Sequence, residues 1–521
     1  MKINIELSFI ALLFVGTSLN AQNGSLDITF DSDGQVATSI GTYNDVGYSV
    51  AIQNDGKILV AGYSDNGNVN GMNLDFALIR YNGDGSLDNT FDNDGKVTTP
   101  IGSGYDVGTS VVIQNDGKIV VAGYSDSDTS GALNLDFALI RYNIDGSLDN
   151  TFDNDGKVTT AIGIEEDRIT SITLQGDGKI LVAGYSYNGS FYEFAIVRYN
   201  TDGSLDTTFD IDGMLTTSFG GNSVSFSSAI QNDGKIVAAG YSYSGSSTDF
   251  ALIRFNSDGS LDTNFDIDGK VTTPIGNTDG YGRSVVIQND GKIVLAGYNV
   301  VGLKRNFALI RYNTDGSLDT NFDADGILTT SIGLKGDEAH AVAIQSDGKI
   351  VATGITTVGP RTEFALIRYN NNGSLDNNFD IDGILTTTIS SSYDDARSIA
   401  IQNDGKIVVA GFSTIGTKYD VTIVRYDNTV TSTREEADKK YLTLNMYPNP
   451  FNSMGTISFN KTINQGELII YNLLGEKIKT LENISGNSIQ LNRDNLIKGL
   501  YFISLIEKDK VLATTKIVIA D

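Results

Sequence analysis

The sequence predicts an all-β chain: a seven-bladed β-propeller followed by a small Ig-like β-sandwich. Three observations predict it. Short blocks recur seven times at a nearly constant interval. Each interval holds short apolar runs separated by Asp-Gly turns rather than a helical period. Near residue 441 the repetition stops and the composition changes.

The block Gln-x-Asp-Gly-Lys starts at Gln53, Gln114, Gln175, Gln231, Gln288, Gln345 and Gln402, at spacings of 61, 61, 56, 57, 57 and 57 residues. Gly-Ser-Leu-Asp keeps the same spacings from Gly24 to Gly373. Phe-Ala-Leu-Ile-Arg-Tyr at Phe76 recurs in near copies and degenerates at Val421. In the first full unit, Ser49–Ile52 reads as strand A and Lys57–Gly62 as strand B. Asn54-Asp55-Gly56 between them is a hairpin turn, because Gly adopts the positive φ that a tight turn needs. Phe76–Tyr81 reads as strand C and Lys96–Thr99 as strand D. Strands B and C are apolar without alternation, so both faces are covered. Four-stranded sheets covered on both sides and repeated radially make a propeller. A β-solenoid fits poorly, since its coils run to roughly 20–30 residues.

The repeats open on a D-type strand, Gln35–Thr38, and close on a C-type strand, Val421–Val424. If the chain passes between blades at the D-to-A connection, the N-terminal strand completes the last blade and leaves no open edge. These blocks, Asp84-Gly85-Ser86-Leu87-Asp88-Asn89-Thr90-Phe91 and Gln114-Asn115-Asp116-Gly117-Lys118 with their copies, resemble the delta-60 repeat family of bacterial β-propellers. The resemblance implies the fold and no activity.

Residues 1–21 read as a signal peptide: Lys2, the apolar run Phe9–Val15, and Leu19-Asn20-Ala21 with cleavage after Ala21. The run is too short for a membrane span. The propeller then occupies 22–428 and a polar linker 429–440. Residues 441–521 carry 8 Lys+Arg and 7 Asp+Glu, against a chain total of 37 and 64, so the acidity sits in the propeller. Tyr447-Pro448-Asn449-Pro450-Phe451-Asn452, Tyr471–Gly475, Gly499-Leu500-Tyr501-Phe502 and Lys516–Ile519 resemble the type A C-terminal sorting domain of the type IX secretion system of Bacteroidota. The resemblance makes Tyr447, Pro448, Asn449, Pro450, Gly499, Tyr501 and Lys516 the sorting motif and that secretion machinery the partner. It implies a secreted protein or one on the outer cell surface of a Gram-negative bacterium.

Chemistry is constrained by what the chain lacks. It has 0 Cys and 1 His, His340, which excludes disulfides, thiolate metal sites and multi-His metal sites. A net charge of −27 argues against nucleic-acid binding, which needs clustered Lys/Arg. No P-loop, Gly-x-Ser-x-Gly or His-Glu-x-x-His signature occurs. The loop Tyr-Asn-x-Asp-Gly-Ser-Leu-Asp-x-x-Phe-Asp-x-Asp-Gly is rich in oxygen donors, and calcium is the one cofactor its composition admits. Its spacing is not that of a calcium loop, and Asp and Asn at these positions more simply cap turns. Leu87 and Phe91, four apart, are expected on one side of a helical turn that plugs the blade. An Arg in every strand C (Arg80 and its copies) and an Asp in every loop (Asp88 and its copies) are expected to pair. A feature present in all blades serves the scaffold.

Function therefore belongs to what differs between blades. The D-to-A connections vary most and, with the B-to-C loops, should share one face. On it stand Asp45, Asp106, Asp167, Asp337 and Asp394, with Tyr43, Tyr105, Tyr281 and Tyr393, as candidate binding residues. Strand A, which lines the channel, reads as free of acids. The expectation is a non-catalytic binding protein with a glycan or protein ligand, no metal and no catalytic residues. The alternatives are an extracellular polysaccharide lyase or hydrolase using loop carboxylates, and a structural surface component.

Overall fold

The computed structural model describes residues 24–67, 73–102, 104–126, 134–276, 279–333, 335–428, 444–447, 449–472, 477–507 and 510–520. Ala21 and Pro448 lie outside them, as does the side chain of Lys516. The described residues hold strands and turns and no helix. Two units are distinct, one ending at Thr429 and one beginning at Val430.

The first unit is the propeller. In blade 1, strand A is Asp45–Ile52, B is Ile58–Asp65, C is Leu74–Tyr81 and D is Lys96–Thr99, antiparallel throughout. Five further sheets repeat this A-B-C-D order. The seventh takes A (Asp394–Ile401), B (Ile407–Ile415) and C (Lys418–Tyr426) from the end of the repeats and D (Gln35–Thr38) from their beginning. The crossing thus lies at D-to-A, and the N-terminal strand closes the ring. Gln35 pairs with Val424 and Thr38 with Val421.

Strand A is longer than its apolar run because it carries a bulge. In blade 1 the register jumps between Gly47 and Ser49, and Tyr48 is the extra residue. The same jump occurs in every blade. Opposite it stands a glycine in strand B. A Cβ on Gly62 would sit 1.7 Å from the Val46 carbonyl oxygen, and on the other six copies 1.8–1.9 Å from its counterpart. A mid-strand glycine marks such close approach of backbones.

Three repeated devices hold blade to blade. Arg80 Nε bonds Asp88 Oδ2 at 2.7 Å, and the six copies pair at 2.6–2.8 Å. The guanidinium lies 4.4 Å over Phe91 and reaches the Ile144 carbonyl of the next blade. Phe91 is fully buried at consecutive turns rather than on a helix, because the Asp88 and Phe91 carbonyls accept from Phe91 and Gly95. A second device is a Tyr–Thr bond between blades, Tyr81 Oη to Thr38 Oγ1 at 2.7 Å. It recurs wherever Phe255 does not replace the tyrosine.

The third is a ring of serines at the channel. Ser398 Oγ accepts from Val50 N at 3.1 Å and Ser49 Oγ from Val111 N at 3.2 Å, and Ser110, Ser171, Ser227 and Ser284 continue around. Ala341 interrupts the ring. Ala341→Ser should complete it to the Ile399 amide and stabilise the fold by about 1 kcal/mol, read as a higher denaturant midpoint at unchanged slope.

The second unit has strands Leu444–Tyr447, Met454–Tyr471, Lys477–Asn492, Gly499–Glu507 and Lys510–Ile519. The long strand Met454–Tyr471 pairs with three others. Phe451 bridges Ile519, and Ile457, Leu468, Ile503 and Ile517 form a dry core.

Candidate functional site

The bulge positions the site. The extra residue of each strand A turns into the channel, and the seven are Tyr48, Thr109, Thr170, Phe226, Arg283, His340 and Arg397. The position that follows is serine in every blade but one, where Ala341 stands; the seven bulge residues show no such uniformity. Together they line a cavity of about 280 Å³ on the propeller axis.

Basic side chains stand on three consecutive blades. Arg283 stacks at 4.0 Å over Phe226, and its Nη2 lies 3.4 Å from the Tyr298 hydroxyl. Among the described residues no carboxylate pairs with it. Arg397 Nη2 donates to Asp395 Oδ2 at 2.6 Å, and the Tyr393 hydroxyl donates to the same oxygen at 3.0 Å. His340 lies between acceptors: Nδ1 is 2.9 Å from the Ala396 carbonyl and 3.2 Å from Asp395 Oδ1, and Nε2 is 3.5 Å from Glu338 Oε2. Glu338 also pairs with Arg305. Burial and the Arg397 charge oppose protonation of His340, but Asp395 and Glu338 outweigh them and raise its pKa. Burial likewise pushes the Asp395 carboxyl up, while Arg397 and His340 hold it below the usual range.

Aromatic rings extend this wall. Tyr241, Tyr281 and Tyr298 follow one another at 5.0 Å centroid spacings. Across the ring, Arg168 pairs with Glu166 at 2.5 Å and lies 4.8 Å over Tyr124. The buried Nε atoms of Arg168, Arg283 and Arg397 have no hydrogen-bond partner.

The sequence-expected residues divide. Asp45, Asp106, Asp167, Asp337 and Asp394 are buried first residues of strand A, not loop residues. Each carboxylate accepts from the D-to-A turn, as Asp45 does from Ile40 and Gly41 N–H groups. That use removes them from the exposed face. Tyr43 is exposed; Tyr105 is half-buried, bridging Leu74 of the neighbouring blade. Only Tyr281 and Tyr393 join the channel wall. The D-to-A and B-to-C connections do lie side by side, since Leu74 pairs with Tyr105 and Arg305 with Gly336. In the oxygen-rich loops Asp84 caps Ser86 and Asp94 accepts from Lys96 N. In the second unit Asn449 Oδ1 accepts from Val518 N, Tyr501 donates to the Ile497 carbonyl, Gly499 opens its strand and Tyr447 is exposed. Asn449 and Pro450 are both exposed.

Wider grooves, of about 560 Å³ between blades 1 and 2 and about 550 Å³ between blades 2 and 3, lie near the A–B hairpins. Their lining Lys57, Arg80, Lys118 and Arg141 belong to the repeated ion pairs, and Asp116 and Asp145 accept from turn amides. The channel lining, by contrast, does not repeat.

Seven blades tied by repeated pairs around one channel with a non-repeating lining define a repeat β-propeller. Family models narrow this further. Residues 53–91, 114–152, 175–209, 231–265, 288–322, 345–379 and 402–429 match the domain of unknown function (DUF5122) β-propeller, and residues 445–520 the secretion system C-terminal sorting domain. The chain carries that propeller repeat domain and a type IX sorting domain, which indicates export to the cell surface or the medium and a contact with the secretion machinery. No helix among the described residues is long and apolar enough to cross a membrane. No curated protein matches. Similar solved structures include polysaccharide lyase Uly1 (13% identity, TM-score 0.43, 80% of this chain and 94% of that one). Sqt1 of Chaetomium thermophilum (10%, 0.39, 77% and 99%) and Drosophila Semaphorin 1b (10%, 0.39, 78% and 88%) are similar as well.

Proposed function

We propose that the propeller is an exported, non-catalytic binding protein that takes its ligand at the channel. One observation carries this: the seven bulge positions hold Tyr48, Thr109, Thr170, Phe226, Arg283, His340 and Arg397, with no repeat pattern, on blades whose ion pairs and turns do repeat. Identical blades need no such variety for stability, so the variety points to a single asymmetric ligand. The non-catalytic half is supported by His340. Both of its nitrogens face acceptors and its pKa is raised, so it is poorly placed to take a proton from a substrate. A second reading, an extracellular polysaccharide-active enzyme, is favoured by Glu338 and Asp395 flanking that histidine.

The test is binding of the full chain to immobilised extracellular polysaccharides and cell-surface proteins. The double variant Tyr48→Ala/Phe226→Ala should lose at least about tenfold in affinity, some 1.4 kcal/mol. Tyr43→Ala, out on the loop face, should lose little. Equal binding by the double variant would remove the channel from the reading. Release of reducing ends or unsaturated products from any bound polysaccharide would favour the enzyme.

A further inference from the structure

The whole chain is strongly acidic, yet the side chains that reach its axial cavity include two arginines and a histidine and no acid. Asp395 and Glu338 stand behind them, engaged by Arg397, His340 and Arg305. Arg283 has no such counter-ion among the described residues, and its Nε is buried without a partner. A half-buried guanidinium held flat on Phe226 without an anion is costly unless something arrives to pair with it. A guanidinium is the side chain whose planar donors match a carboxylate or sulfate. Tyr48 and Phe226 add flat apolar faces to the lining. At about 280 Å³ the space sits just under the usual range for small-ligand sites, about 300 Å³ upward, and suits one sugar-sized ring.

We propose that the channel is an oxyanion site that takes a carboxylate- or sulfate-bearing saccharide residue, with Arg283 as its principal anchor and Arg397 as supporting positive charge. This rests on the channel reading above and names its ligand class. It also accounts for a cationic waist inside an anionic shell: the surface field repels polyanions at long range, so only a group small enough to enter meets the arginines.

The experiment is calorimetric titration of the full chain with D-glucuronate, D-glucose 6-sulfate and inorganic sulfate, with D-glucose as the neutral match. At least one of the two acidic sugars should bind, glucose should bind at least about tenfold more weakly, and affinity should fall as salt is raised. Arg283→Gln should weaken acidic-sugar binding about tenfold or more, while its melting temperature stays near that of the parent because no ion pair is broken. A larger response to glucuronate would assign a carboxylate, and to the sulfate ester a sulfated sugar. Binding by inorganic sulfate alone, acidic sugars that bind no better than glucose, or an Arg283→Gln variant that binds them unchanged would each overturn the proposal. If acidic sugars fail while a neutral polysaccharide binds and Tyr48→Ala/Phe226→Ala abolishes it, the channel reading stands and the oxyanion assignment falls.

Discussion

A chain lacking residues 22–38 should not fold to a monomeric ring. The closing strand brings more than four ladder pairs. Phe30 is fully buried against Val60, Tyr81 and Val421, so it belongs to the cores of both blades 1 and 7. Asp27 Oδ2 binds Arg425 and Lys406, each at 2.7 Å. Gly24 and Asp27 amides donate to the Asp427 and Arg425 carbonyls, and the Arg425 amide donates to Gly34. Losing the phenylalanine alone should cost about 3–5 kcal/mol. Leaving Arg425 buried without its carboxylate should cost about 3–5 kcal/mol more. Together these approach the whole stability of a domain, about 5–15 kcal/mol. The deletion also bares the C strand of blade 7, Lys418–Tyr426, as an unpaired apolar edge. The expected result is loss of the cooperative unfolding transition and a shift to aggregates on size exclusion. A synthetic peptide of residues 22–40 added during refolding should restore both. A deletion that unfolds cooperatively within about 2 kcal/mol of the parent would show that the ring does not depend on its seam.

The seam, the blade count and the Arg–Asp pairing were legible because each recurs or closes a recurrence. A repeat that starts on a D strand and ends on a C strand either completes its last blade with its first strand or keeps every blade continuous, and strand Gln35–Thr38 takes the first course. An arginine inside an apolar strand needs a partner, and Asp88 was the acid that kept pace with Arg80. The channel was harder to read, for a local reason. Placing the start of strand A at Ser49 hides Tyr48, because a bulge adds one residue and aims it where a regular pleat would not. The signal was present in strand B: Gly62 and its copies break an otherwise apolar run where a backbone carbonyl comes close. Asp45 misleads for the opposite reason. It recurs in five blades, and recurrence is the mark of scaffold; its carboxylate is spent on the Ile40 and Gly41 amides. Leu87 and Phe91 at a spacing of four suggested a helical turn, but Asp92 and Asn93 have φ of 43° and 70°, which breaks any helix there.

Acid should unfold the propeller steeply, and the slope should come from the seven repeated aspartates. Asp27, Asp88, Asp149, Asp206, Asp262, Asp319 and Asp376 all titrate below the ordinary range. Burial pushes each carboxyl up, but the adjoining lysine or turn hydrogen bonds and the strand C arginine prevail; Asp319 is brought down to about 2. A group with a depressed folded pKa contributes stability that is present above its unfolded pKa, about 3.9, and lost as pH falls towards the folded value. The loss therefore sets in below about pH 4 and deepens as the pH falls further. Each group adds up to about 1.4 kcal/mol per pH unit, so seven in phase approach about 10 kcal/mol per unit. Asp75, Asp92, Asp106, Asp380 and Asp427 work the other way, held above the usual range chiefly by burial. Their stabilising protonation comes at higher pH, above about 3.9, so it precedes the collapse instead of cancelling it. A melting-temperature profile should be flat or slightly rising from pH 7 to about 4.5 and then fall sharply. Asp206→Asn should lower the plateau at neutral pH and make the acid limb shallower, because one of the seven titrations is gone. A profile that declines evenly from pH 7, or an Asp206→Asn variant with an unchanged limb, would mean that the acid sensitivity resides outside these pairs.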